Sequence, residues 1–456
     1  MWRRALAVFV FAVGVRLLVV AAIPGWDMPT DMASGLSGDE LEYSALAANL
    51  AHGKGYVLPW HGRGPHYGEL RPTAFRAPLW PALLAGLYRV TGTSRFAARL
   101  LNVALDGLTC ALLVPLGTLL WRPRTGVVAG AIAAIYPPLW VNVFRIHSEV
   151  SFTTSLVLAL LLADRLRRRP SLPRAGALGL ALGAVALGRP NGLLVAVALA
   201  WWAAATVRSL GRRTALAIGG TCVGAAALLV GPWMLWSSVA LGEAVPITTQ
   251  GGSVLGGYYS PAMLDRARPD WGSWDFFRVI RANADAPDEA TFDRGLQAAG
   301  RRWIAGHPAG TLRLIGMHVQ RYFDLYWELK GRRTIVYYPT RYDDANMAVI
   351  VSWWLAAGLA GAAVWRLRSR LAPFVPALIT FGALAFSGVM FGASTRFRAP
   401  AEPVVVLLGA TLLTSRLHRV DRVATRPAPA HPETWTAGTM APVDPDPASS
   451  RRRDTS

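Results

Sequence analysis

The feature that most constrains the fold of this chain is a series of apolar runs, each about as long as a membrane-spanning helix. Roughly 20 residues of α-helix cross the ~30 Å hydrocarbon core of a bilayer. The chain has 456 residues, of which 53% are hydrophobic and only 16% charged, against about a quarter charged in ordinary soluble domains. We therefore predict an all-α, polytopic membrane protein with about ten spans. They are placed at 5–23, 98–120, 126–144, 149–164, 175–188, 192–207, 215–236, 347–365, 372–391 and 402–416.

The positions of the basic residues predict which way these spans face. The formal net charge is +20, but the arginines cluster at the ends of the runs, as at 3–4, 165–169 and 366–370. This is the pattern of the positive-inside rule, and not the continuous basic patch that binds nucleic acid, so we predict no nucleic-acid partner. The clusters share the inner face with the N-terminus if the apolar stretch 77–92 is not a span. We therefore predict an interfacial or re-entrant helix there.

This orientation divides the chain into four regions. Residues 1–236 form a transmembrane core with a first outer loop at 24–97, and 237–346 form an outer-face subdomain. Residues 347–420 form the C-terminal transmembrane helices, and 421–456 form a disordered cytoplasmic tail, because that segment is rich in polar residues and proline. The arginine-rich composition is typical of a GC-rich bacterial genome. We predict a multi-pass protein of the bacterial inner membrane, with its active site on the extracytoplasmic side.

The first outer loop opens with two carboxylates, Asp39 and Glu40, followed by Tyr43. Asp39 stands near the start of a helical pattern, where a carboxylate can simply cap the helix. It could also act as a general base toward a hydroxyl group, or hold a divalent cation together with Glu40. Asp39 and Tyr43 are four residues apart and therefore share one helix face.

The same loop ends with basic residues in front of a proline-rich apolar segment. Arg71 and Arg76 flank a short turn, and His66 and Glu69 precede it. Arginines at headgroup depth are suited to bind a phosphate group. Ordinary anchoring to lipid headgroups is the alternative, and the irregular spacing of the histidines gives no metal signature.

Further ionisable residues fall on the outer face at the ends of other spans. They are His147 and Glu149, and the arginines Arg189, Arg396 and Arg398. Snorkelling explains any one of these arginines, but together with Arg71 and Arg76 they indicate an anion site. We predict that these five arginines bind a donor phosphate and that Tyr43, His66, Glu69, His147 and Glu149 bind substrate.

Several motifs in order along the chain resemble a known family. They are Gly38-Asp39-x-x-x-Tyr43, Pro72-Thr-x-x-Arg76-x-Pro78, Tyr136-Pro137-Pro138, Gly188-Arg189-Pro190 and Arg396-Phe-Arg398-x-Pro400. The pattern, which runs from about 38 to 415, is similar to the membrane glycosyltransferases of the GT-C fold, in the family of protein O-mannosyltransferases and lipid A aminoarabinose transferases.

The resemblance implies a sugar donor carried on a polyprenyl phosphate, an acceptor that is a protein, lipid or glycan, and an inverting transfer at the outer leaflet. It implies a first-loop aspartate as base or metal-holding acid, a role that falls on Asp39, and it leaves a divalent metal ion open as cofactor. Membrane lipids are further partners. The alternative is a transporter or flippase for an anionic or lipid-linked substrate. Transporters commonly show internal repeats, whereas the sequence has no clear repeat and its polar residues gather on one face.

Overall fold

The computed structural model describes residues 1–22, 38–59, 68–264, 285–325, 343–391 and 395–424. Helices dominate these residues, in agreement with the prediction of an all-α protein. The chain divides into a compact unit, Met1–Ser415, and a second unit, Arg416–Ser456, in which residues 416–424 are helical.

The described residues up to Leu241 form ten α-helices and a short sheet that the sequence does not predict. In chain order the elements are α1 (Trp2–Ala22), α2 (Gly38–Ala51), β1 (Val57–Pro59), β2 (Leu70–Pro72), α3 (Leu79–Thr91), α4 (Arg95–Leu120), α5 (Pro123–Ile135), α6 (Pro137–Trp140), α7 (Glu149–Arg168), α8 (Leu172–Gly188), α9 (Gly192–Thr206) and α10 (Arg212–Leu241). The strands β1 and β2 are antiparallel, with Leu58 opposite Arg71.

In the second part, the described residues add three α-helices of the predicted outer-face region and four C-terminal α-helices. They are α11 (Gln250–Tyr258), α12 (Glu289–Gly306), α13 (Pro308–Tyr322), α14 (Asp343–Arg366), α15 (Val375–Phe391), α16 (Thr395–Arg398) and α17 (Glu402–Ala424). Helix α17 continues beyond residue 421, where the disordered tail is predicted to begin, and residues 425–456 lie outside the described residues.

Membrane crossing is supported for some of the predicted spans. Among the described residues, six helices are long and apolar enough to cross a bilayer, and a seventh if the pair Pro123–Ile135 and Pro137–Phe144, bent by 60°, is one span. Each of the ten predicted spans overlaps a helix, but ten crossings stay a prediction. Helix α3 has 13 residues, about 20 Å of helix, which is too short to cross, as predicted for 77–92.

The bend between α5 and α6 is explained by two prolines and one buried arginine. Pro137 and Pro138 lack the N–H groups that would bond the carbonyls of Ala133 and Ala134 in a continuous helix. The fully buried Arg16 of α1 donates to both of these carbonyls, and its Nε lies 2.5 Å from Asp106 Oδ2 on α4. An arginine inside the first apolar helix therefore supplies hydrogen bonds to the carbonyls that the bend leaves without helical partners.

Candidate active site

Four segments distant in sequence bring their charged side chains together. Asp39 lies in the first turn of α2, and Arg76 lies in the turn before α3. Glu149 is the first residue of α7, and Arg396 lies in the short helix α16. The segments are linked by ion pairs among these four residues.

The centre of the site is the carboxylate of Asp39, which lies between two arginines. Arg76 Nη2 donates to Asp39 Oδ1 at 2.5 Å, and Arg396 Nη1 donates to Asp39 Oδ2 at 2.5 Å. Burial acts to raise the pKa of Asp39, but the charges of Arg76 and Arg396 outweigh it and hold the pKa well below its usual range. The side chain of Asp39 is nevertheless 28% exposed. The site therefore holds an ionised carboxylate that solvent can reach.

Arg76 is held by a second carboxylate and by two aromatic rings. Its Nε donates to Glu42 Oε2 at 2.6 Å, and its guanidinium carbon lies 5.3 Å from the ring centroid of Tyr43 and 4.9 Å from that of Phe75. The hydroxyl of Tyr56 donates to the backbone carbonyl of Arg76 at 2.8 Å. Side chain and backbone of Arg76 are thus both fixed.

Glu149 forms the buried part of the network. Its Oε1 accepts from Arg396 Nε and lies 2.6 Å from Arg189 Nη1. Glu149 is 1% exposed, so these two arginines supply the charges that stabilise it. His147 Nδ1 lies 4.0 Å from Glu149 Oε2. Burial and the nearby charge of Arg396 lower the pKa of His147 to about 4, so this histidine is neutral at physiological pH.

Glu40 faces a different partner from Asp39. Its carboxylate accepts from Arg145 Nη1 at 2.8 Å and from the backbone N–H of Ile146 at 3.0 Å. Tyr43 donates to Ser148 Oγ at 3.1 Å in the same turn. Glu40 and Tyr43 therefore fix the 145–148 turn against α2.

Of the five predicted phosphate ligands, Arg76 and Arg396 bind Asp39, and Arg189 joins the network through Glu149. The other two, Arg71 and Arg398, have different partners. Arg71 donates to the carbonyl of Pro287 at 3.1 Å. Arg398 is buried in a separate cluster, where its Nε donates to Glu402 and its Nη1 lies 2.9 Å from Asp324 Oδ2. Its guanidinium carbon lies 3.8 Å from the ring centroid of Trp353. Both arginines hold elements of the chain together.

The remaining two predicted substrate-binding residues are Glu69 and His66. Glu69 is exposed, beside the start of β2 and outside the ion pairs of Asp39. His66 lies outside the described residues.

Comparison with known proteins finds similarity at the level of structure. No family model matches the chain, and no curated protein sequence matches it. The archaeal oligosaccharyltransferase AglB from Archaeoglobus fulgidus, in complex with an inhibitory peptide and a dolichol-phosphate, has a TM-score of 0.54 and 14% identity over 94% of this chain and 52% of that chain. An Archaeoglobus fulgidus oligosaccharyltransferase tethered with an acceptor peptide containing the NVT sequon has a TM-score of 0.55 and 14% identity, over 92% of this chain and 50% of that chain.

Both TM-scores exceed 0.5, over nearly the whole length of this chain. The chain has the GT-C fold. The fold predicted from the sequence motifs is thereby confirmed. The chain spans about half the length of these oligosaccharyltransferases. ArnT from Cupriavidus metallidurans, bound to undecaprenyl phosphate, has 16% identity over 93% of this chain and 81% of that chain, with a TM-score of 0.41.

The GT-C fold of this chain positions some residues that the sequence analysis does not single out. Glu42 follows Asp39 by three residues, and this spacing places both carboxylates on one face of α2. Arg145 pairs with Glu40, and Tyr56 supports Arg76. The helical spacing alone could have identified Glu42, whereas the contacts of Arg145 and Tyr56 depend on the tertiary structure.

The described residues do not fit a divalent cation at Asp39 and Glu40. No three His, Cys, Asp or Glu side chains gather there or elsewhere in the described part of the chain as a metal site requires. Both oxygens of Asp39 accept from arginines, and those of Glu40 accept from Arg145 and Ile146. Such a donor set binds through N–H groups and suits an anion rather than a metal ion.

Within the GT-C fold this arrangement can exchange one anion for another. The N–H groups of Arg76 and Arg396 that bind Asp39 are the same groups that would bind a phosphate oxygen. A phosphate that enters beside Asp39 competes for them, and the pKa of Asp39 rises as its arginines turn to the phosphate. The site therefore combines two arginines that can bind an anion with a carboxylate whose basicity would depend on what those arginines bind.

Proposed function

We propose that this protein is an integral membrane glycosyltransferase. It moves a sugar from a polyprenyl-phosphate-linked donor to an acceptor, a protein, lipid or glycan, at the extracytoplasmic face of the bacterial inner membrane. The observation that carries the proposal is the bridged carboxylate: Asp39 lies between Arg76 and Arg396 and stays open to solvent, within a GT-C fold.

The two arginines suit the departing phosphate. When the bond between the anomeric carbon and the phosphate oxygen breaks, its electron pair stays on that oxygen. Charged donors already in place stabilise the charge as it develops, without reorganisation during the step. Arg76 and Arg396 are so placed, because their partners Glu42 and Glu149 hold them from behind the Asp39 contact.

Asp39 is the proposed general base. The acceptor hydroxyl gives its proton to the Asp39 carboxylate while its oxygen attacks the anomeric carbon from the side opposite the phosphate. A single displacement of this kind inverts the anomeric configuration. A carboxylate bridged by two arginines is a weak base, so the reaction requires that the donor phosphate first draw these arginines toward itself. The bound donor thereby makes Asp39 a stronger base, which can then take the proton of the acceptor hydroxyl.

A lipid-linked donor is supported by the fold and by the position of the site. The similar oligosaccharyltransferase AglB is in complex with a dolichol-phosphate, and Arg396 of this chain lies at the start of a helix, Thr395–Ser415, that is long and apolar enough to cross a membrane.

The test is transfer from radiolabelled polyprenyl-phosphate sugars in membranes that contain the protein. Wild-type protein should release lipid-linked label into a new product, and Asp39→Asn should abolish the release while the donor lipid still binds. Asp285→Asn, which changes an exposed carboxylate outside the network, is the matched control and should keep wild-type turnover. Wild-type turnover by Asp39→Asn would show that Asp39 is not the general base. Movement of intact donor across sealed vesicles, without product, would favour the transporter or flippase alternative.

A further inference from the structure

Arg76 is bound by two carboxylates through different parts of its guanidinium group. Nη2 lies 2.5 Å from Asp39 Oδ1, whereas both Nε and Nη2 approach Glu42 Oε2, at 2.6 and 2.5 Å. The Nε bond belongs to Glu42 alone. If Asp39 releases Nη2, Glu42 still holds the guanidinium from the Nε side.

The two carboxylates also differ in their other contacts. Asp39 shares its second oxygen with Arg396, which in turn is bound to the buried Glu149. Glu42 is 20% exposed and stands one helical turn beyond Asp39. Asp39 is thus bound by two arginines, Arg76 and Arg396, one at each oxygen. Glu42 is a second carboxylate that holds Arg76.

We propose that Glu42 is a positioning residue that keeps Arg76 directed at the donor phosphate while Arg76 Nη2 exchanges between Asp39 and that phosphate. This inference rests on the proposed function in taking a polyprenyl phosphate as the ligand of Arg76. Without Glu42, Arg76 closes onto Asp39 and its N–H groups are less available to the lipid.

The proposal predicts a change of binding opposite to that expected from charge alone. Removal of a carboxylate close to an anion site lowers repulsion and should tighten phosphate binding. If Glu42 positions Arg76, Glu42→Ala weakens binding instead, by about tenfold, the scale of one lost charge-assisted hydrogen bond. Glu42→Gln keeps an acceptor oxygen for Nε and should lose less.

The experiment measures the dissociation constant of undecaprenyl phosphate for the full chain in lipid nanodiscs, with the melting temperature of each variant. Glu243→Ala is the matched control. It removes a glutamate whose partner is Arg294, outside the network, and should bind as the wild type does. Glu42→Ala should bind more weakly at an unchanged melting temperature, and should raise the donor KM more than it lowers kcat. Binding by Glu42→Ala as tight as or tighter than wild type overturns the proposal.

Two further variants separate the possible failures. If Glu42→Ala does not fold, Glu42→Gln decides: weaker binding than wild type supports positioning, and equal or tighter binding overturns it. Asp39→Asn should bind undecaprenyl phosphate more tightly, because it removes the competitor for Arg76. If Asp39→Asn transfers sugar, the proposed function fails in its choice of base, while the binding results for Glu42 still decide the positioning role.

Discussion

Arg16 and Asp106 form an ion pair inside the helix bundle, with Arg16 Nε 2.5 Å from Asp106 Oδ2 and both side chains at most 3% exposed. Two charges so deeply buried are costly unless each is paired. Because Arg16 also serves the carbonyls of Ala133 and Ala134, the pair connects α1, α4 and the broken end of α5.

Removal of Asp106 should destabilise the fold strongly. Asp106→Ala leaves a buried, unpaired arginine, which costs about 3–5 kcal/mol, and its melting temperature in detergent should fall accordingly. The double variant Arg16→Met with Asp106→Leu should lose much less than the sum of the two single variants, because no charge is then left unpaired. Additive losses would show that the pair is not coupled.

Tyr56 supports Arg76 through a single hydrogen bond, which can be removed without loss of the ring. Tyr56→Phe keeps the contact with Trp233, whose ring centroid is 4.8 Å away, but frees the carbonyl of Arg76. We expect the donor KM to rise about fivefold, corresponding to about 1 kcal/mol. Tyr88→Phe loses a similar bond, to Ser44, outside the network, and should leave the KM unchanged. Equal effects of both variants would contradict a specific role of Tyr56.

His147 should make the folded protein sensitive to acid. Its pKa is lowered from 6.5 to about 4 by burial and by Arg396, so the unfolded chain binds a proton more readily than the folded chain in that interval. Its contribution to stability is complete above pH 6.5 and is lost as the pH falls toward 4. The melting temperature of wild type should fall more steeply through this window than that of His147→Asn. Parallel curves would contradict the depressed pKa.

Gly388 of α15 gives a test of packing against the outer-face helix α13. A Cβ atom at Gly388 would collide with the ring of Tyr322. Gly388→Ala should therefore lose about 1–3 kcal/mol of stability through overpacking. Gly382→Ala is the matched control in the same helix, because nothing lies within 4 Å of its added Cβ. It should not destabilise the protein, and the two melting temperatures should differ clearly.

The apolar runs predicted the helices well because span length and hydropathy are local properties of the sequence. The span predicted at 126–144 corresponds to a pair of helices that bends by 60° after Ile135, and the apolar pattern did not predict this bend. The two prolines were visible in the sequence, but the arginine that makes the bend tolerable comes from α1, more than 100 residues earlier. Such a partner is set by tertiary packing and not by local pattern.

The same limit applies to the predicted arginines of the site. Arg396 and Arg398 are two residues apart in a helical turn, which places their side chains about 200° apart around the axis. Arg396 therefore reaches Asp39 while Arg398 reaches Glu402. Residue type and membrane face predicted both as anion ligands, but the rotation of α16 decides which of them contacts Asp39. The roles of the residues that do meet remain predictions for the experiments above.

The network around Asp39 has a consequence for selectivity in a crowded membrane. Asp39, Glu42 and Glu149 are matched by Arg76, Arg189 and Arg396, and His147 is neutral. Opposite charges this close cancel at a distance, and salt screens what is left beyond about 10 Å. Phospholipid headgroups, which vastly outnumber any carrier lipid, would therefore not be concentrated at the site by its field. The carrier lipid of the proposed reaction would therefore be selected only by direct contacts, through the fit of its phosphate and sugar together.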